Sequence, residues 1–146
     1  HLEHRRQRQM CIRDRARRLS DQRPMDMPPL NICLQVNIDN EPGKSGFNAD
    51  HISAAVTEIN SLPRLQLRGL MAIPAQSDNV AKQRDSFSRM RKLYDSAKDA
   101  IDSKNDKASF DTLSMGRSAD LEPAIAEGAT IVRVGTDIFG PRDRSV

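Results

Sequence analysis

Residues 30–38 read LNICLQVNI, in which Leu30, Ile32, Leu34, Val36 and Ile38 alternate without a break with Asn31, Cys33, Gln35 and Asn37. A period of two is that of a strand whose successive side chains point to opposite faces. One face is aliphatic and suits a packed layer, while the other carries amides and a thiol and faces something polar. The loop DNEPGKSGF (39–47) follows, rich in turn formers. Ile52, Ala55, Val56, Ile59 and Leu62 then fall on one helical stripe, with Asn48 or Asp50 as cap and Pro63 as stop. LQLRGLMAIP (65–74) reads as a second strand. Ser77 or Asp78 is expected to open a long amphipathic helix carrying Val80, Phe87, Met90, Tyr94, Ala97 and Ile101, which the polar stretch DSKNDKAS (102–109) ends. FDTLSM (110–115) is a short third strand. Ser118 or Asp120 caps the helix after it, Pro123 is tolerated in its first turn and Gly128 ends it. TIVRVGTDIFG (130–140) is the fourth strand. Strands alternating with helices in this order predict an α/β fold with a parallel sheet built from crossover units.

The chain has 146 residues, enough for one ordinary domain. With 37% hydrophobic and 29% charged residues and no tryptophan, it falls among soluble globular chains with a thin core. No apolar run approaches the ~18 residues of a membrane span. The net charge of +3 is unevenly placed: residues 1–18 hold seven arginines against Glu3 and Asp14, a net of +5, leaving −2 for the rest. Residues 1–15 show no sustained helical or strand periodicity and are expected to be a disordered or foreign basic tail, with residues 16–146 forming the domain. A nucleic-acid arm is the competing reading, but the tail lacks interleaved aromatics for stacking. Cys11 and Cys33 have no spacing suited to zinc or a disulfide framework, and no metal site is expected.

Gly43-Lys44-Ser45 resembles the end of a phosphate-binding P-loop, yet Ile38 stands where that motif needs its first glycine, so a substrate-side or structural turn is the better reading. A stronger pair lies further on. Ser114-Met115-Gly116-Arg117-Ser118 sits between the third strand and a helix start, where backbone N–H groups and hydroxyls converge on an anion. Gly135-Thr136 follows the fourth strand and adds a glycine for close backbone approach and a hydroxyl. In parallel barrels phosphate is commonly bound by the loops after the last two strands. Arg133 interrupts the aliphatic run Ile131, Val132, Val134 and shares a face with Ile131. A buried guanidinium needs a partner, and the choice is between a salt bridge to an interior carboxylate and a ligand, with the ligand favoured. No Ser-His-Asp or Cys-His set can be assembled, because the body holds only His51.

In that order LQVNI, KSG, LRGLMAIP, DTLSMGRSADLEPAI and VRVGTDIFG closely resemble the C-terminal half of the pyridoxal phosphate homeostasis protein family. The resemblance runs from about residue 16 to 143. It implies about four βα units of a TIM-type (β/α)8 barrel like the N-terminal domain of alanine racemase. It also implies a cytoplasmic carrier of pyridoxal 5′-phosphate (PLP), involved in vitamin B6 homeostasis, with no established catalysis. By the same resemblance Ser118, Gly135 and Thr136 hold the phosphate, Ser114 and Gly116 belong to the loop that surrounds it, and Arg133 points at the pyridine nitrogen. A guanidinium there keeps the ring nitrogen unprotonated and makes the cofactor a poor electron sink. Asn37 and Met71 either face the same cavity or fill the barrel.

Two departures stand out. Arg117 occupies a position where the family usually has methionine, and either adds a contact to the phosphate or turns to solvent, the latter being favoured. None of Lys44, Lys82, Lys92, Lys98, Lys104 or Lys107 lies at a strand end matching the family's Schiff-base lysine, which belongs to the N-terminal half. The expectation is therefore a truncated form that binds PLP weakly or not at all, from a parent expected to be monomeric, with the open half-barrel prone to self-association. The rival enzyme reading, an alanine-racemase-type fragment, needs a second domain and a catalytic tyrosine, and the single tyrosine, Tyr94, lies in a helix pattern. Neither nucleic acid nor membrane is expected as a partner.

Overall fold

The computed structural model describes residues 2–102 and 104–143. The elements are α1 (Leu2–Gln22), β1 (Leu30–Val36), α2 (Ile52–Asn60), β2 (Leu65–Ala72), α3 (Val80–Asp99), α4 (Lys104–Ser109), β3 (Thr112–Arg117), α5 (Leu121–Ala126), β4 (Ile131–Arg133) and α6 (Thr136–Phe139). The four strands form one sheet in the order β1-β2-β3-β4, and all three pairings are parallel.

The alternation in LNICLQVNI sets the layers. Leu34, Val36 and Ile38 are buried together with Leu70, Ala72, Leu113 and Met115 of the neighbouring strands. They pack on the apolar stripes of α2 (Ile52, Ala55, Val56, Ile59) and α3 (Phe87, Met90, Tyr94, Ala97) in one core. The opposite face is open. Asn31 and Cys33 are exposed there, Gln35 and Met71 are half-buried, and Ile131 is 50% exposed. Helices on one side of a parallel sheet and a partly polar face on the other is the arrangement expected for part of a (β/α) barrel.

The loop after β1 is a structural turn, not a nucleotide loop. Phe47 runs parallel to Val36, donating its N–H to the Gln35 carbonyl (2.8 Å) and accepting from the Asn37 amide (2.9 Å). Gly46 makes this approach possible: its φ is +115°, and a Cβ there would sit 2.9 Å from the Asn37 nitrogen.

Several sequence expectations are corrected. The arginine-rich start, read as an aperiodic tail, lies in α1, which runs through the boundary expected at residue 15. Ile12, Ala16 and Ser20 recur every four residues and form its inner stripe; Ala16 is only 6% exposed and Ser20 is buried. The Ser20 hydroxyl donates to the Pro63 carbonyl, the Arg64 Nε donates to the Ser20 carbonyl (2.6 Å), and Arg13 and Arg17 pair with Glu58 of α2 at 3.3 and 2.6 Å. Small residues let the helices approach, while arginine is itself a good helix former. The cap of α3 is Asn79, whose Oδ1 accepts from the Ala81 and Lys82 amides, in place of Ser77 or Asp78. Val80 is exposed and lies off the stripe. Residues 104–109 of DSKNDKAS form α4 instead of an irregular end. TIVRVGTDIFG divides into a three-residue strand and the short helix α6. Gly128 ends α5 as expected, with φ +98°: its N–H reaches the Ile125 carbonyl and the Ala129 N–H reaches that of Ala124, a Schellman closure.

Candidate functional site

Because the strands are parallel, their C-terminal ends lie at one end of the sheet, and the expected site residues gather there. Gln35, Met71, Ser114 and Ile131 are successive register partners across the four strands, forming a row on the open face. Ser114 is buried within that row. One step further along, Arg117 pairs with Arg133.

That pairing depends on a bulge. Between Ser114 and Arg117 the third strand advances three residues while the fourth advances two, from Ile131 to Arg133. Simple alternation from Ser114 would send Arg117 to the helix side; the extra residue returns it to the open face beside Arg133. Arg117 therefore does not turn away to solvent. It is half-buried, and its Nη2 donates to the Pro74 carbonyl at 3.4 Å. Gly116 is what permits the bulge. Its φ is +102°, and a Cβ would stand 2.6 Å from the Ala124 Cβ of α5, so local packing alone accounts for a glycine here.

Arg133 reaches across the sheet and donates from Nη2 to the Ala72 carbonyl at 2.9 Å. Its Nε is buried without a hydrogen-bond partner, and among the described residues no carboxylate forms an ion pair with it. Burial, reinforced by the neighbouring Arg117 charge and opposed by Asp120, pulls its pKa below the ordinary arginine value. The interior salt bridge that competed with a ligand in the sequence reading is absent among the described residues.

Ser118 opens the turn into α5. Its Oγ accepts from the backbone N–H groups of Gly135 and Asp137, both at 3.3 Å, tying the loop after β3 to the start of α6. Two N–H groups and a hydroxyl therefore meet at one point, with the Thr136 hydroxyl on the residue between them. A Cβ on Gly135 would meet nothing within 4 Å, so the backbone there is open to an approaching group. Asp120 is buried and accepts from the Arg117 N–H at 2.6 Å, bracing this loop from below.

Asn37 has a different task. Its Nδ2 donates to the Glu41 carbonyl (3.0 Å) and its Oδ1 accepts from the Glu41 N–H (3.1 Å), so the side chain closes the turn after β1. Met71 stays on the open face, half-buried.

Sequence reading missed Asp39. Its carboxylate accepts from the Ala75 N–H (2.7 Å), the Ser86 hydroxyl (2.8 Å) and the Arg89 guanidinium, which also donates to the Ile38 carbonyl (2.7 Å). Burial pushes its pKa up, but the Ala75, Ser86 and Arg89 donors outweigh it and hold the carboxyl below its usual range. The cluster latches the segment after β2, beside the Ala72 carbonyl at the end of β2 and the Pro74 carbonyl beyond it, which receive Arg133 and Arg117. No local motif announces it, because the partners lie 36 to 50 residues from Asp39.

The lysines expected to lie away from strand ends do so: Lys82, Lys92 and Lys98 are in α3, Lys104 and Lys107 in α4, and Lys44 in the loop after β1. Among the described residues no group of three or more His, Cys, Asp or Glu is placed to hold a metal, and no helix is long and apolar enough to cross a membrane.

Residues 9–143 match the family described as alanine racemase, N-terminal domain. The chain belongs to that family. Within it, the chain is similar to curated proteins named pyridoxal phosphate homeostasis protein. It is 49% identical over 128 residues to that of Pseudomonas aeruginosa, covering 88% of this chain and 52% of the relative. It is 47% identical over 133 residues to that of Escherichia coli K12, covering 89% and 53%. The chain thus spans about half the length of the curated relatives it matches. Among solved structures, one described as an unknown protein from Bifidobacterium adolescentis superposes with a TM-score of 0.75 at 36% identity, over 87% of this chain and 49% of the other. PipY of Synechococcus elongatus, solved without PLP, gives 0.73 at 31% identity over 86% and 56%. The form of PipY with PLP bound gives 0.64 at 30% identity over 77% and 50%. The family match begins at residue 9, inside the segment read as a tail.

Proposed function

We propose that this chain contributes the phosphate-holding and ring-nitrogen-facing part of a PLP-binding site, in a protein that holds the cofactor in the cytoplasm for homeostasis and does not turn it over. One observation carries the reading: Ser118 and the Gly135 and Asp137 amides converge at the open end of the sheet that also bears the buried, unpartnered Nε of Arg133. An anion fits the first feature, since backbone N–H groups and hydroxyls are its usual ligands. A neutral ring nitrogen fits the second, as an acceptor for a donor that has none.

In this reading Ser118, Gly135 and Thr136 hold the phosphate, while Ser114, Gly116 and Met71 shape the floor. Asn37 supports the site through its turn. When bound, PLP supplies an electrophilic aldehyde conjugated to a pyridine ring. The protein's part is to grip and orient. Arg133 donates a hydrogen bond and cannot accept a proton, so it leaves the ring nitrogen's lone pair in place and does not promote carbanion chemistry. With the six lysines in helices and a loop, the grip exerted by this chain is non-covalent and weak.

Two rival readings lose support on specific observations. A racemase-type enzyme would take its catalytic tyrosine from a partner, since this chain's own Tyr94 is buried in α3 and donates its hydroxyl to the Phe110 carbonyl at 2.8 Å. For a nucleic-acid arm, two of the seven arginines in residues 1–18, Arg13 and Arg17, are engaged by Glu58 of α2 and not presented to a partner.

Equilibrium dialysis with PLP tests the proposal. Saturable binding is expected, weakened roughly tenfold by Ser118→Ala and by Arg133→Met, in line with loss of hydrogen bonds to a charged group. Absence of saturable binding, or wild-type affinity in both variants, refutes it.

A further inference from the structure

The two guanidiniums on the open side of the sheet rest on one short stretch of backbone. Arg133 donates to the Ala72 carbonyl at 2.9 Å and Arg117 to the Pro74 carbonyl at 3.4 Å. Beyond Ala72 the chain leaves the sheet and has no regular structure until α3 begins at Val80, so the strand ladder does not fix it. Asp39 does. Val36 and Ala72 are the last register partners of β1 and β2, and three residues past each of them the Asp39 carboxylate accepts from the Ala75 N–H at 2.7 Å. That N–H and the Pro74 carbonyl belong to the same planar trans peptide unit, whose donor and acceptor point in opposite directions. Asp39 therefore holds the unit from one side while Arg117 docks on the other, and hydrogen bonds chained in this way strengthen one another. The carboxylate is itself fixed to α3 by the Ser86 hydroxyl and the Arg89 guanidinium, which also takes the Ile38 carbonyl at 2.7 Å.

We propose that Asp39 is a positioning residue of the cofactor site: acting through the backbone of residues 72–75, it stations both guanidiniums and so sets how tightly the ring is held, without touching the phosphate grip. Arg133 has the most to lose. Its Nη2 bond to Ala72 aims the buried Nε that has no partner of its own, and the like charge of Arg117 pushes against it. Arg117 is kept at its own station by the Pro74 carbonyl, and releasing the 74–75 peptide frees it to crowd its neighbour. The phosphate grip is built separately, from the Ser118 hydroxyl and the Gly135 and Asp137 amides in the loops after β3 and β4, and the Asp39 contacts run to α3 and to the segment after β2 instead. The inference rests on the PLP-binding reading and adds to it a residue, outside the ligand's reach, that separates ring affinity from phosphate affinity.

The test uses the full chain and pyridoxine 5′-phosphate, which carries ring and phosphate but no aldehyde to react with lysines. Inorganic phosphate serves as a competitor that occupies the phosphate grip alone. In equilibrium dialysis D39N is expected to weaken the ring-bearing probe about fivefold, as for the loss of one hydrogen bond, while the inhibition constant of phosphate stays within about twofold of wild type. The circular dichroism induced in the bound ring, which reports a ring held in one orientation, is expected to fall in D39N at saturation. Y94F, which removes a hydrogen bond elsewhere, is expected to keep wild-type affinity and dichroism. In the R133M background D39N is expected to cost less than about twofold, because the group it stations is gone. If D39N does not fold, S86A removes one tie on the same carboxylate and is expected to shift the probe in the same direction by about twofold. Wild-type affinity and dichroism in the Asp39 or Ser86 variant, phosphate weakened in parallel with the probe, or an undiminished loss in the R133M background overturns the positioning role and leaves the PLP-binding reading standing. Failure of the wild-type chain to bind the probe overturns both.

Discussion

Replacing Asp39 by asparagine keeps the side chain's shape and removes its charge, which isolates what the latch at the end of β1 contributes. The carboxylate accepts from the Ala75 amide, the Ser86 hydroxyl and the Arg89 guanidinium. An asparagine has one acceptor oxygen, so its NH2 must face at least one of these donors. Hydrogen bonds to charged groups contribute about 1.5–3 kcal/mol each, with the upper end reserved for desolvated pairs. The Asp39 side chain is 14% exposed but that of Arg89 is 42% exposed, so the ion-pair part is screened and counts for at most about 1 kcal/mol. The net expected loss at pH 7 is about 2 kcal/mol, equivalent to a melting shift of roughly 4–8 °C for a chain of this size. The pH dependence follows from the sign of the shift. The folded carboxyl titrates below its unfolded value of about 3.9, so its contribution is fully present above that value and is lost as pH falls through the lower folded value. Urea titrations of both proteins at pH 7 and at stepwise lower pH read the difference directly. A gap near 2 kcal/mol at pH 7 that closes below about pH 4 is expected. Equal stability at pH 7, or a gap that persists unchanged in acid, refutes the latch.

Three other substitutions test separate parts of the fold. Gly116→Ala combines a left-handed backbone with a clash against the Ala124 Cβ and is expected to cost about 2–4 kcal/mol in chemical denaturation; a loss below about 1 kcal/mol would mean that the bulge relaxes freely. Tyr94→Phe removes the hydroxyl that satisfies the Phe110 carbonyl and should lower stability by about 1–1.5 kcal/mol, with PLP affinity unchanged in the same dialysis assay. Ile12→Ala removes an apolar contact between α1 and the core and should cost about 1–2 kcal/mol, whereas a disordered tail over residues 1–15 would register no change on thermal melting.

The parts of the fold that were legible in the sequence are those governed by local periodicity. The alternation in residues 30–38 predicted both faces of β1: Leu34, Val36 and Ile38 are buried against the helices, and Leu30 and Ile32 are half-buried. The stripes of α2 and most of α3 followed from spacings of three and four. The two loops at the end of the sheet were also legible, because strand-to-helix turns bearing glycine and hydroxyls are local features, and the structure ties Ser118 to Gly135 and Asp137. By contrast, α1 was missed because its inner stripe of Ile12, Ala16 and Ser20 is too small and too polar to stand out among arginines. The capping role of Asn79 depended on which of three neighbouring polar residues the chain happened to turn at.

Taken alone, the sequence determined the order of elements, the parallel α/β class and the two loops that meet at the end of the sheet. It also set the identity of the single arginine expected to face the open side, since a strand's alternation is a property of consecutive residues. Only the tertiary structure decided which way Arg117 points, because one extra residue in β3 reverses every side chain after it and the bulge is defined against β4, not within β3. It likewise decided that Asn37 closes a turn and that Asp39, Ser86 and Arg89 meet at all. Those contacts join residues far apart in the chain, and no local period records which of many charged side chains the fold will bring together.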